Sequence, residues 1–416
     1  MTSAVLSDLT SFTAAARDVV DDLRQGCSVV WLFPSPEMRD QMELLVRHEC
    51  ARWEMRAVDF SLGSLDAQPR PLASLLADWL DLEPPRAGCI WTPELLVDAE
   101  GTPDVLILCD LEQLPEQEQA RWLDFMVQWS HAAGAMGASK ALLVPVASKL
   151  CRPVSPEVRL RVRRFWRWAS QLELQTLARE QAGPDLDSRV WNEYVYASVA
   201  AGDPLLLDWL LDKPDLDGEE LWEHLVAYGE MRGWTSRALM DRRAAQLCDL
   251  PHAARLREYA DVPADFEPLW QVGALTHTVE YGLELQSAAA AMLGRRDVIE
   301  HRVWRGQVQA LMPVLDALRQ SLCHYLTRYH GPGWVNLADP QNSYEISGTP
   351  DQPLSEFNHM SRVLRSPALR IPQHMEVSAM VQELRHYRNC LAHYTPISRS
   401  DVARLFRVVQ QLERLR

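Results

Sequence analysis

The 416-residue sequence predicts an α/β domain built on a parallel sheet, then an all-α middle segment, then a C-terminal helical bundle. Three observations predict this order. Short uninterrupted apolar runs alternate with segments of helical length through the first 180 residues, as strands covered on both faces require. After the turn-rich stretch 181–185 the apolar spacing becomes helical and no further strand is evident. The length itself corresponds to about three domains of common size. The expected divisions are 1–180, 181–296 and 297–416.

The runs 28–33, 104–109 and 141–146 are continuous enough to be buried strands, and 36–53 and 115–133 have the length and spacing of helices between them. Residues 159–166 alternate basic and apolar side chains in part, as a half-exposed edge strand does. The middle segment carries helical spacing through Trp191, 221–228 and 269–293, with a further division expected near Val262 and Pro263. A long helix should run over 297–330, interrupted by Pro313, with Val298, Val303, Val308, Leu311, Leu315, Leu318 and Leu322 near one side. The loop 331–353 is long for a compact domain, and such loops are more often functional or mobile than incidental. Helices over 376–394 and 401–415 close the chain.

Composition excludes several classes. Apolar residues at 47% and charged residues at 24% are ordinary for a globular chain. No apolar stretch approaches the roughly 20 residues of a membrane span, so no membrane association is expected. The first 23 residues carry Asp8, Asp18, Asp21 and Asp22 without a basic start, which argues against a secretory signal and for the cytoplasm. Eight scattered cysteines without a Cys-x-x-Cys pair fit reduced thiols better than zinc or disulfides. The net charge of −15 disfavours a nucleic-acid partner, but its distribution is uneven. From Asp297 onward 14 Arg face 11 acidic residues, a net +3, which leaves −18 for the rest. Seven of the twelve histidines also lie in that last part.

The most specific string is 384–396, which contains Arg388-Asn389-x-x-x-His393. At 100° per residue, Val377, Val381, Leu384, Arg388 and Leu391 form one stripe, so Arg388 is expected inside the apolar seam. A cation there needs a carboxylate, a second subunit or a phosphate. His386, Asn389 and His393 fall on the polar side, where Asn389 can orient His393 across one turn. Pro396 should end the helix near Tyr394 and place His393 in the last turn, where a positive group is favoured and imidazole can move protons near neutral pH. Arg388 and His393 project about 140° apart at 100° per residue, so two copies at a dimer interface would best bring both to one substrate atom. A plainer reading pairs Arg388 with an internal glutamate and leaves the histidines as surface or core residues.

This string, on a helix just before the last one of an all-α, mildly basic segment, resembles the Arg-x-x-x-x-His motif of HEPN-domain ribonucleases. The resemblance covers about 297–416. It implies metal-independent RNA cleavage at a site shared by two subunits, with no cofactor and no metal. His393 would be general acid or base, Arg388 would stabilise charge on the phosphorane, and Asn389 would hold the geometry. Arg385 and His386 would contact phosphate, although solvated positions suit them equally. The family implies an effector role in toxin-like or antiviral defence and a homodimer formed through the C-terminal domain; control by the acidic N-terminal half or by a partner protein is expected from the charge contrast between the two parts.

The α/β half resembles a STAND or AAA-type NTPase module, with 104–112 similar to a Walker B strand and 141–148 similar to the strand after it. Where a phosphate loop should follow Phe33 the chain reads Pro-Ser-Pro-Glu-Met-Arg-Asp, without glycine or a Lys-Ser/Thr pair and with Glu37 and Asp40 where phosphates would sit. Residues 134–140 precede a strand instead of following one. This half is therefore expected to be a degenerate NTPase fold that binds or regulates, with Asp110 and Glu112 as strand-end carboxylates. Two Glu-x-x-His pairs, Glu356/His359 and Glu383/His386, have di-metal spacing, with Glu300 and Glu376 as the nearest extra glutamates, but such spacings arise often by chance. Trp79, Trp122, Trp129, Trp166, Trp168 and Trp209 read as core. The alternative function is a non-catalytic helical dimerisation or adaptor protein on a pseudo-NTPase scaffold.

Overall fold

The computed structural model describes residues 9–64, 70–84, 86, 88–147, 150, 152–166, 168–181, 183, 185–213, 216–257, 259–338 and 346–415. Asp8, Ser148, Lys149, Cys151, parts of the 181–185 break and 339–345 of the turn-rich loop lie outside them. The chain forms two compact units, 1–173 with 237–286 and 174–236 with 287–416. Residues 181–236 thus group with the C-terminal segment and 237–286 with the α/β segment, whereas the sequence suggested one middle segment.

In the first unit, β1 (Ser28–Phe33), β2 (Ala57–Ser61), β3 (Val105–Cys109), β4 (Ala141–Ala147) and β5 (Leu160–Arg164) form a sheet in the order β2-β3-β4-β1-β5. Every pairing in it is parallel, with Val29 opposite Leu143 and Arg161, and Val105 opposite Ala57 and Ala141. The expected parallel α/β sheet is therefore present, and the basic run is its edge strand β5. Helices α1 (Thr10–Arg24), α2 (Pro36–Arg52), α3 (Leu72–Trp79), α4 (Pro93–Asp98) and α5 (Glu116–Met136) accompany it. Continuous apolar strands are needed because β1, β3 and β4 are buried nearly throughout. Trp122 and Trp129 of α5 pack into the core with Leu106, Leu108, Leu142 and Val144. Trp79 is 44% exposed, a departure from its expected core position, and meets Phe60 edge-on at 4.9 Å.

Two hairpins contradict the reading that no strand follows residue 181. β6 (Leu275–Thr278) pairs antiparallel with β7 (Gly282–Leu285) in the first unit, and β8 (Ile346–Thr349) with β9 (Gln352–Ser355) in the second. Each strand has four residues, too few for a period of two to stand out. Gly282 closes the first turn at φ +68°, where a Cβ would lie 1.8 Å from the Arg255 carbonyl oxygen.

The second unit is organised by helices α6 (Gly218–Met231), α7 (Arg296–His330), α8 (Phe357–Val363), α9 (His374–Ala392) and α10 (Arg399–Leu415). α7 runs unbroken through Pro313, where the sequence suggested an interruption. An internal proline costs about 3 kcal/mol, and burial of Leu311, Leu315, Leu318, Leu322 and Leu326 on the same helix offsets it. A π-helical stretch, Val190–Tyr196, packs on α7 at Gly306, where an added Cβ would stand 2.5 Å from the Tyr194 carbonyl oxygen.

Candidate functional site

Helix α9 buries Val377, Met380, Val381, Leu384, Tyr387 and Leu391. Tyr387, 1% exposed, takes the seam position expected for Arg388, and its hydroxyl donates to Glu383 at 2.7 Å. Burial, reinforced by that carboxylate, pushes the Tyr387 hydroxyl above its ordinary range. Arg388 is displaced to the edge of the stripe. Its side chain is 41% exposed and faces Glu356, 40% exposed, across 3.7 Å. The expectation of a buried guanidinium is therefore corrected: the cation sits at the surface with a carboxylate of its own chain. An exposed pair of this kind is worth about 0–1 kcal/mol, so an incoming phosphate could compete for the guanidinium. Glu356 also lies 4.0 Å from Arg319, which binds Asp316 at 2.7 Å.

The end of α9 is fixed by local and distant contacts. The last helical residue is Ala392, with His393 as cap, and its N–H donates to the Asn389 and Cys390 carbonyls at 3.1 Å. Tyr394 follows at φ +60°, and the Thr395 N–H returns to the Cys390 carbonyl at 2.9 Å, a Schellman closure. Glycine is the usual occupant of that left-handed position, and a side chain there costs about 1–2 kcal/mol. Pro396 comes two residues later, consistent with its expected role as a stop. The Trp304 indole of α7 donates to the Leu391 carbonyl at 2.6 Å and so satisfies a helix-end acceptor. Gln307 of α7, fully buried, donates to the Ile397 carbonyl at 2.7 Å and accepts from its N–H at 2.9 Å. Ser398 then caps α10: it accepts from the Asp401 N–H at 3.1 Å and donates to its carboxylate at 2.7 Å.

His393 and Tyr394 project from this clamped turn and are exposed, while Asn389 is half-buried. Arg385, expected as a phosphate contact, donates to Ser361 at 3.2 Å, and His386 is exposed beside Cys390. Sequence reasoning missed Glu356 as the partner of Arg388, and Trp304 and Gln307 as the clamp. Glu356 stood in the sequence only as half of a Glu-x-x-His pair, although an internal glutamate for Arg388 was one reading, and Trp304 and Gln307 only as a Trp and a Gln one turn apart on the long helix, without a cue to their partners. The Glu-x-x-His pairs are occupied otherwise: His359 is buried against Ser355 at 2.6 Å, Glu383 takes the Tyr387 hydroxyl, and Glu356 faces arginines. Among the described residues no group of three or more His, Cys, Asp or Glu could hold a metal ion.

At the carboxyl ends of β1 and β3 in the first unit, the place where open parallel sheets bind ligands, the chain fills its own site. Ser35 caps α2 by accepting the Met38 N–H at 3.2 Å, with Pro36 in the first turn. Arg39, 8% exposed, binds Glu112 directly, Asp40 at 2.7 Å, Glu43 at 3.6 Å and Asp110 at 3.9 Å. Burial raises the Glu43 carboxyl to about 7 despite Arg39 and Arg47, and raises Glu112 as well. Asp110 and Glu112 thus hold an internal guanidinium.

No family model matches the chain, and no curated protein is similar to it. Among solved structures it is similar to a chain of Drosophila ORC bound to poly(dA/dT) DNA and Cdc6, at 13% identity and a TM-score of 0.32, over 97% of this chain and 69% of that one. It is likewise similar to a chain of Drosophila ORC bound to AT-rich DNA and Cdc6, at 12% identity and a TM-score of 0.31, with the same coverage. A likeness of this size fixes neither family nor function.

Proposed function

We propose that the chain is a metal-independent endoribonuclease of the HEPN kind, acting through Arg388, Asn389 and His393. One observation carries this reading: the whole Arg-Asn-x-x-x-His string lies on the last turn and cap of α9, with His393 exposed and Arg388 at the surface. A solvent-facing histidine on a turn held by Trp304 and Gln307 is positioned without being buried, as a general acid or base requires.

In the proposed reaction the ribose 2′-oxygen attacks the adjacent phosphorus, the bond from phosphorus to the 5′-oxygen breaks, and a 2′,3′-cyclic phosphate remains. His393 either takes the 2′-hydroxyl proton or returns one to the departing 5′-oxygen. Arg388 leaves Glu356 to meet the charge growing on the phosphoryl oxygens. Arg388 and His393 diverge on one helix, so the working site takes each from a different copy of the chain. The α/β unit is read as an NTPase-like scaffold that regulates the effector, since Arg39 with Asp110 and Glu112 stands where a nucleotide phosphate would need donors. A role in toxin-like or antiviral defence belongs to the same reading.

The test is cleavage of single-stranded RNA in EDTA with analysis of the new ends. Cyclic phosphate ends are expected. Arg388→Ala and His393→Ala, each inactive alone, should on mixing regain about a quarter of wild-type activity, because half of randomly paired dimers carry one intact site. The second reading is a non-catalytic helical dimerisation module; the Arg388–Glu356 pair favours only its non-catalytic part, since it occupies the guanidinium within its own chain. This reading predicts no cleavage in any of these mixtures and loss of dimers on Arg388→Ala.

A further inference from the structure

We propose that Tyr394, backed by Trp304, is a stacking platform for an unpaired nucleobase of single-stranded RNA next to the scissile linkage; this rests on the nuclease reading of the same site. Tyr394 follows His393 directly and is 68% exposed. Its ring centroid lies 4.6 Å from that of Trp304 at 41°, and Trp304 in turn lies 5.2 Å from His301. The Trp304 ring is anchored by its indole N–H, which donates to the Leu391 carbonyl at 2.6 Å. An aromatic side chain therefore stands at a left-handed position that favours glycine, supported from below and open above. An exposed ring adjoining His393 in the chain, held against a second aromatic ring, has the chemistry to stack a base. Every base offers a π-face, so the platform selects unpaired RNA over duplex RNA and not one sequence.

The test measures binding of a fluorescent single-stranded oligonucleotide carrying 2′-O-methyl groups, which cannot be cleaved, by full-length wild type, Tyr394→Phe, Tyr394→Gly and Tyr394→Asn. Glycine and asparagine both tolerate the left-handed backbone, and that relief of about 1–2 kcal/mol offsets the lost contact with Trp304, so both variants should stay folded at the temperature of the binding measurement. We expect Tyr394→Phe to bind within twofold of wild type and the two ring-less variants to bind about tenfold more weakly, a stacking loss of about 1.4 kcal/mol. Wild-type affinity in Tyr394→Gly and Tyr394→Asn overturns the platform, as does equal weakening in Tyr394→Phe. Absent cleavage of unmodified RNA by wild type would overturn the nuclease reading instead, and the binding comparison reports on the platform separately.

Discussion

Replacing Arg39 by alanine should unfold the α/β unit at a markedly lower temperature. The Arg39 side chain is 10% exposed and sits among four carboxylates, of which Glu112 and Glu43 are themselves 13% and 9% exposed. Removing one member of a buried pair costs about 3–5 kcal/mol, because the stranded partner keeps its desolvation penalty. The bond to Asp40 adds little, since that carboxylate is 59% exposed. Protonation of Glu43, already near pH 7 in the fold, relieves part of the loss, and about 3 kcal/mol remains. In a unit of roughly 220 residues, 1 kcal/mol moves Tm by about 2–4 °C, so the expected fall is about 6–12 °C. Thermal unfolding of the full chain followed by circular dichroism measures it, and Arg39→Ala combined with Glu112→Gln should regain part of the loss. A single variant melting within 2 °C of wild type would refute the idea that this cation neutralises the sheet's carboxyl edge.

Two further outcomes follow from the same contacts. The Glu43 carboxyl rises from 4.5 to about 7 on folding, so the stability linked to its proton is complete below about pH 4.5 and lost as pH climbs to about 7. Glu43→Gln should therefore gain on wild type between pH 5 and pH 8, on the order of 2–3 kcal/mol at most, and Tm profiles that stay parallel across that range would contradict this. Gln307→Leu strands the buried N–H and C=O of Ile397, costs about 2–4 kcal/mol, and loosens the turn that carries His393. Its RNA cleavage should drop tenfold or more at temperatures where it is folded, and unchanged turnover would show that the clamp does not position the histidine.

The parallel sheet and the C-terminal helices were legible in the sequence because their signals are long. Apolar runs of five or more residues in β1, β3 and β4, and sustained helical periods over α7 and α9, leave little choice of element. The four-residue hairpins were not, since their alternation is no longer than chance. Within α9 the seam was misplaced by one residue: Tyr387 carries a hydroxyl that looks polar in sequence, yet Glu383 four residues earlier accepts a hydrogen bond from it and lets the ring go inside. That one substitution in the stripe moves Arg388 from core to surface. Trp304 and Gln307 act 87 and 90 residues from their partners, and no spacing rule reaches that far. The missing phosphate loop was plain from the residues after Phe33, whereas the use of Arg39 to satisfy Asp110 and Glu112 depends on strands brought together only by folding.

In the proposed reaction His393 moves a proton during RNA cleavage. Labelled single-stranded RNA incubated with wild type and with His393→Ala, in EDTA and at matched folded fraction, tests it most directly. Wild type should cut while the variant does not, although both melt at the same temperature. Equal cutting by the two proteins would contradict it.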